Sequence, residues 1–99
     1  MMDDHTHHIA VLLVSLYIPS SQSLKDKRMV IKSLKDKVRS RFNVSISELD
    51  QEDKWQTATV GISMIGNDKR YLDSCLKNIL SYIESMNGAE ISDHQIEFV

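Results

Sequence analysis

The chain has 99 residues, of which 41% are hydrophobic and 26% charged, and its formal net charge is −2. These values fit one globular domain and argue against disorder or a membrane protein. The longest aliphatic run, residues 9–14, is too short to cross a bilayer, and the amino terminus carries acids where a secretory signal needs bases. The single cysteine, Cys75, cannot form an internal disulfide. We expect a cytoplasmic protein with no membrane partner, in which residues 1–7 form a flexible leader and residues 8–99 a single domain.

The first predicted elements are a buried strand and a basic helix. Residues 8–18 form a continuous run of β-branched and aliphatic side chains that Pro19 ends, which is typical of a buried strand. Ser23 then offers a helix N-cap, and Asp26 follows three residues later in the manner of a capping box. The sequence predicts a helix over residues 24–41.

Two strands are predicted next, because apolar and polar residues alternate. Residues 43–50 place Val44 and Ile46 on one face, and residues 55–65 alternate over a longer stretch. The polar residues between them form a turn. The sequence therefore predicts a hairpin in the middle of the chain.

A second helix and a last strand complete the chain. Asn67 or Asp68 caps the helix, whose apolar stripe continues until Asn87-Gly88 supplies a left-handed stop. The final residues, AEISDHQIEFV, indicate a strand with an irregularity near Asp93.

The element order βαββαβ predicts an α+β fold, the ferredoxin-like sandwich. In this fold four antiparallel strands lie in the order 4-1-3-2, and both helices cover one face. The start of helix one, the end of strand two and the start of strand three then lie at one end of the domain. This end carries Lys27, Glu48, Trp55 and Gln56, which are candidates for a recognition site or a structural lock.

The pentapeptide SLKDK occurs twice, at residues 23–27 and 33–37. Ten residues turn a helix by about 1000°, so the two copies lie about 80° apart and do not form a repeated binding unit. Lys27 falls within the apolar arc of this helix. Its stem either snorkels to solvent or its ammonium group pairs with Glu48, and the pair is weakly favoured.

Five bases of helix one fall within about 80° of arc beside the apolar stripe. They are Lys25, Arg28, Lys32, Lys35 and Arg39. One interpretation is an ordinary solvated flank. The other is a phosphate-binding surface, because only Asp36 places an acid near these bases.

Other chemistry is less well supported. The turn PSSQS before helix one lacks the glycine of a phosphate loop, although a helix N-terminus favours anions. Four carboxylates around the hairpin lack calcium-loop spacing and are expected to be ordinary turn residues. They are Glu48, Asp50, Glu52 and Asp53. Cys75 lies on the apolar stripe of helix two, where we expect an inert core thiol. We expect no catalytic residue, no metal and no cofactor; His5, His7 and His8 resemble a metal-binding tract in composition only.

The first strand is apolar on both faces, so the sheet should present a hydrophobic strip on the side away from the helices. A homodimer or another protein would cover such a strip. Scattered exposed aliphatic residues are the alternative. Stacking aromatics of the kind that bind RNA on an open sheet are not expected on strand three, which offers Thr57, Thr59, Gly61 and Ser63.

Four motifs stand out in the chain: SLKDKR at 23–28, RFNVSISELD at 41–50, Asp53 to Gln56 and TVGISMIGND at 59–68. Together they resemble the YlxP-like family of small bacterial proteins of unknown function. The resemblance implies a ferredoxin-like fold and no established enzyme activity. It also implies a genomic neighbourhood of translation and ribosome-maturation factors, including ribosome-binding factor A.

We therefore expect a non-catalytic RNA- or ribosome-associated accessory protein that binds phosphates through the five bases of helix one. A homodimeric protein-interaction module that uses the open sheet face is the main alternative. A small-anion binder at the N-terminus of helix one is the third hypothesis.

Overall fold

A computed structural model describes residues 6–50 and 54–99. The elements follow the predicted order βαββαβ: β1 (His8–Tyr17), α1 (Leu24–Arg41), β2 (Ser45–Glu48), β3 (Thr57–Gly66), α2 (Lys69–Glu84) and β4 (Glu90–Phe98). The strands form one antiparallel sheet in the order β2-β3-β1-β4. The predicted ferredoxin-like architecture is confirmed. No helix in the described part of the chain is long and apolar enough to cross a membrane.

The core lies between the sheet and the two helices. Along β1 every second residue is buried, from Ala10 to Leu16, and is at most 1% exposed. In the register of β1 with β3, Leu12 lies opposite Ile62 and Val14 opposite Val60. Both helices cover this apolar face with buried aliphatic side chains. They are Ile31, Leu34, Val38, Leu72, Leu76, Ile79, Leu80 and Ile83.

Helix α1 begins at the Ser23 N-cap that the sequence predicts, and Asp26 reaches back as in a capping box but binds the residue before the cap. The Ser23 hydroxyl accepts a hydrogen bond from the Asp26 N–H at 3.0 Å, and the Asp26 carboxylate accepts one from the Gln22 N–H at 3.0 Å. The helix ends where Phe42 adopts an extended conformation, although its N–H still donates to the Val38 carbonyl. These contacts satisfy backbone groups that a helix end leaves without partners.

Strand β2 is shorter than the predicted 43–50. At its carboxyl end, a side chain replaces a backbone carbonyl as the hydrogen-bond acceptor for β3. After Glu48 the Leu49 N–H still donates to the Thr59 carbonyl at 2.8 Å. The Asp50 carboxylate, however, accepts from the Thr59 N–H at 3.0 Å, where a strand would offer a carbonyl. The regular pairing of β2 with β3 therefore stops at Glu48.

Strand β4 contains the predicted irregularity. Ser15 pairs with Asp93 and Leu16 pairs with Ile91, so Ser92 is an extra residue in β4. Its hydroxyl donates to the Ser15 carbonyl at 3.1 Å. Ile91 and Ile96 are five residues apart and would face opposite sides of a regular strand. The bulge places both against the core.

Helix α2 begins at the Asp68 cap, whose carboxylate accepts hydrogen bonds from the Arg70 and Tyr71 N–H groups. Cys75 is half-buried and does not lie in the core, so the prediction of a core thiol was wrong. It lies one turn after the exposed Tyr71, and their hydrogen bond raises the pKa of Tyr71. Leu72 and Leu76, on either side of Cys75 along the chain, are fully buried, so Cys75 lies at the border of the apolar stripe.

Candidate functional site

The basic flank of α1 consists of Lys25, Arg28, Lys32, Lys35 and Arg39. Four of these residues are exposed, and Lys35 is half-buried. The flank lies on the side of α1 that overhangs the β2 edge of the sheet, because the Arg39 guanidinium donates to the Ile46 carbonyl at 3.1 Å. Arg39 therefore has a structural contact besides its charge.

Asp36 divides the basic flank into two parts. Its carboxylate lies 3.0 Å from the Lys32 ammonium and 3.9 Å from the Arg39 guanidinium. The hydrogen bond and charge of Lys32 lower the pKa of Asp36. Within residues 6–50 and 54–99, no carboxylate forms an ion pair with Lys25 or Arg28. Within the described residues, Lys25 and Arg28 are therefore the exposed bases of the basic flank that have no carboxylate partner.

Charge is separated across the sheet. Helix α1 contains eight bases and two acids, whereas β4 contains three acids and no lysine or arginine. The two elements lie at opposite edges, since α1 overhangs β2 and the sheet order places β4 farthest from it. Three strand spacings amount to about 14 Å, which exceeds the Debye length of about 8 Å at physiological salt. The net charge of −2 therefore does not describe the field beside α1.

A buried lysine joins the start of α1 to the central hairpin. Lys27 is 4% exposed, and its ammonium group donates to the Lys54 carbonyl at 3.0 Å. The same nitrogen lies 3.7 Å from a carboxylate oxygen of Glu48, so the pair that the sequence favoured is present. Nothing in the amino-acid sequence indicates the Lys54 contact, because a main-chain carbonyl has no residue-type signature.

The hairpin end is also tied to the loop between β1 and α1. The Gln56 side chain donates to the Pro19 carbonyl at 3.1 Å, and the Ile18 N–H donates to the Gln56 carbonyl at 2.8 Å. Trp55 is 53% exposed beside a surface depression of ≈ 350 Å³. The predicted convergence of Lys27, Glu48 and Gln56 at one end of the domain is therefore observed, while Trp55 remains largely in solvent.

The other candidate ligand groups are already engaged or lie outside the described residues. Glu48 pairs with Lys27, and the Asp50 carboxylate accepts a backbone N–H. His5, Glu52 and Asp53 lie outside the described part of the chain. Residues 6–50 and 54–99 contain no group of three His, Cys, Asp or Glu side chains that could hold a metal ion.

The N-terminus of α1 has an acid of its own beside it. The Asp26 carboxylate lies in the first turn and accepts the N–H of Gln22, the residue before the cap, so its negative charge would repel a bound anion. This geometry weighs against the hypothesis of a small-anion site there.

The open face of the sheet is the side away from the helices. Its apolar side chains come mainly from β1 and from Leu49. The Leu49 side chain fills the space above Gly61, which has no side chain of its own. A Cβ atom at Gly61 would lie 2.8 Å from Leu49 Cδ1. The side chains that face solvent here are Ile9, Val11, Leu13, Tyr17, Leu49 and Ile65. Acids of β4 line one border, with Glu97 opposite Val11 and Asp93 opposite Ser15.

The fold and this surface define a small ferredoxin-like α+β protein with a basic helical flank. A family model described as "Protein of unknown function (DUF503)" matches residues 9–96, and the chain belongs to this family. It is similar to "Uncharacterized protein YlxP" of Bacillus subtilis (strain 168), with 38% identity over 68 residues that cover 69% of this chain and 74% of the relative. The resemblance to the YlxP-like family is therefore confirmed.

A solved structure supports the fold alone. The de novo designed protein Foldit4 is similar to this chain with a TM-score of 0.50 and 16% sequence identity. The similarity covers 92% of this chain and 96% of the designed one. Because an unrelated sequence adopts the same arrangement, the fold by itself carries no function.

Proposed function

We propose that this protein is a non-catalytic RNA- or ribosome-associated accessory protein that binds the phosphate backbone through the basic flank of α1. The observation that carries the proposal is the charge separation between α1 and β4. It leaves a positive surface on one side of a protein whose net charge is negative. Clustered bases on one helix face are the electrostatic signature of nucleic-acid binding.

The dimensions of the basic flank suit a polyanion better than a single anion. From Lys25 to Arg39 the helix rises about 21 Å at about 1.5 Å per residue, which is long enough for several phosphates. Phosphate contacts position a nucleic acid without reading its sequence. We therefore expect the protein to bind RNA with little base preference, and any selectivity to come from RNA shape.

The open face of the sheet is a poorer candidate for RNA. Apart from Ile65, its β3 side chains are small or hydroxylic, and the acids of β4 border it. Base stacking on a sheet requires exposed aromatic rings on the central strands. On β1 and β3 the open face offers only Tyr17, at one end of β1.

The decisive experiment is a triple charge reversal, Lys25→Glu, Arg28→Glu and Lys32→Glu. Arg39 is retained because it binds the Ile46 carbonyl, and Lys35 because it is half-buried. Fluorescence anisotropy with a short structured RNA should show tight binding at low salt for the natural chain and none for the variant. If three to five phosphates are contacted, the logarithm of the binding constant should fall with the logarithm of the salt concentration with a slope of about −2 to −4.5, the range between the single-strand and duplex coefficients.

The matched control carries the same change in net charge elsewhere, through Lys37→Glu, Arg70→Glu and Lys77→Glu. These three residues are exposed and lie outside the basic flank. The control should lose only a small part of the affinity. Equal losses in both triple variants would show that net charge alone governs binding, and no RNA binding by the natural chain at low salt would overturn the proposal.

A further inference from the structure

The apolar strip of the open face has a side-chain pattern that complements itself. We infer that this face is the interface of a homodimer whose twofold axis runs parallel to the strands, between β1 and β3. In this arrangement β1 of one protomer packs over β3 of the other. The inference is independent of RNA binding, because none of the five bases of the basic flank lies on the open face.

The register of the sheet determines which side chains meet. Within one protomer Ile9 lies beside Ile65, and Leu13 lies beside Gly61. A rotation about an axis between these strands keeps the height of each residue and exchanges the two strands. Ile9 then faces Ile65 of the second copy, and Leu13 packs over Gly61 and against the Leu49 side chain that covers it. A surface depression of ≈ 210 Å³ between Leu13 and Leu49 can receive the partner's leucine.

Charge decides between the two twofold axes that lie in the plane of the sheet. An axis perpendicular to the strands and level with Gln95 would place β4 over β4 and bring Glu97 and Asp93 together, which like-charge repulsion disfavours. The axis parallel to the strands places β4 over β2 instead. Glu97 then faces Ser45 and Gln95 faces Ser47, so carboxylate and amide acceptors meet hydroxyl donors. This arrangement leaves no acid facing an acid, and Asp93 lies over Leu49 at the border of the face.

The size of the face fits a weak but specific dimer. Three strands of nine or ten residues and the four-residue β2, at about 3.3 Å per residue and about 4.8 Å between strands, give about 520 Å² for each protomer and about 1,050 Å² in total. This value lies at the lower limit of specific protein interfaces. The sheets would pack about 10 Å apart, and α1 of each protomer would remain on the outside. The dimer would therefore carry two separate basic flanks.

Sedimentation equilibrium of the full chain tests the inference. Ile65→Glu changes a side chain that is 67% exposed, so the fold should tolerate it, and Leu13→Glu places a charge at the centre of the interface. Each substitution occurs twice in a dimer and should raise the dissociation constant by at least about thirtyfold. Met29→Glu is the control, because Met29 is 63% exposed on α1 and should leave association unchanged.

Disulfide trapping tests the direction of the axis. In a Cys75→Ser background, Ser45→Cys combined with Glu97→Cys should give covalent dimers under mild oxidation. The two positions of one protomer are about 14 Å apart, too far for an internal disulfide. Gln95→Cys alone should not cross-link, since it would meet its own copy only in the perpendicular arrangement.

Three results would overturn the inference. A chain that remains monomeric at about 0.5 mM has no self-association of the expected strength. A dimer unaffected by Leu13→Glu and Ile65→Glu uses another surface. Cross-linking of Gln95→Cys, without cross-linking of the Ser45→Cys and Glu97→Cys pair, would establish the other axis.

Discussion

Replacing Lys27 by methionine tests whether its buried ammonium group holds α1 to the central hairpin. Methionine keeps an unbranched stem of similar length but removes the charge and the donor to the Lys54 carbonyl. The neighbouring Glu48 then loses its cation. We expect the variant to fold and to be less stable by about 1–2 kcal/mol.

The size of the effect follows from the geometry of the pair. At 3.7 Å the attraction between Lys27 and Glu48 is worth about 1 kcal/mol in water and about 4.5 kcal/mol at an effective dielectric constant of about 20. The Glu48 side chain is 28% exposed, so water screens it, and the buried ammonium has lost hydration. A net coupling energy of about 1 kcal/mol is therefore expected.

A double-mutant cycle measures this coupling energy directly. The free energy of unfolding is obtained from urea denaturation of the natural chain, Lys27→Met, Glu48→Gln and the double variant. Trp55 is the only tryptophan and follows Lys54, so its fluorescence reports on the hairpin end. Far-ultraviolet circular dichroism follows the whole fold in the same samples, which shows whether both probes record one transition.

Exposed Glu84 provides the matched control, and Glu84→Gln should leave stability within about 0.5 kcal/mol of the natural chain. A coupling energy below about 0.3 kcal/mol would refute the reasoning, because the ion pair would then contribute no more than a surface pair. A Lys27→Met chain as stable as the natural one would show that the Lys54 contact is also dispensable.

Two further predictions concern α1. Asp36→Asn releases Lys32 and Arg39 from their acid and should raise RNA affinity at low salt about threefold, as measured by anisotropy; unchanged affinity would show that these bases do not contact phosphate. The pKa of Asp36 in the folded protein lies below its ordinary value of 3.8, so its ion pair stabilises the fold above about pH 3.8. This contribution is lost as the pH falls through the folded pKa, and the asparagine variant should lack this pH dependence. Ser23→Ala removes the helix cap and should cost about 1 kcal/mol in thermal unfolding, whereas Ser20→Ala in the exposed turn should cost little; equal effects would contradict the capping role.

The predictions that the structure confirms are those that depend on local periodicity. Helix α1 has the predicted bounds, and its Ser23 N-cap is present. The irregularity near Asp93 also follows from sequence, since Ile91 and Ile96 cannot share a face of a regular strand. Burial at period 2 or 3.6 is imposed by backbone geometry, so it is visible in any single chain.

The sequence-based predictions were wrong or incomplete where the structure depends on contacts between groups that are far apart in the sequence. Strand β2 ends early because the Asp50 carboxylate accepts a hydrogen bond from the Thr59 N–H. The alternation of apolar and polar residues over 43–50 does not predict this bond. Cys75 continues the apolar stripe of α2, yet the packing angle of the helix leaves it half-buried. The position of Leu49 was recoverable, because it shares parity with the open-face residues Ser45 and Ser47.

The sequence by itself determined the order of the elements, the core-facing stripes and the concentration of bases on α1. From the sequence alone the five bases of the basic flank are equivalent. In the tertiary structure they differ in burial and in the groups they contact. Arg39 binds a carbonyl of β2, Lys32 is paired with Asp36, and Lys35 is half-buried. Lys27 likewise reaches a carbonyl 27 residues along the chain. Main-chain carbonyls are the same in every residue, so only the packing of the chain decides which one a buried or flanking cation will meet.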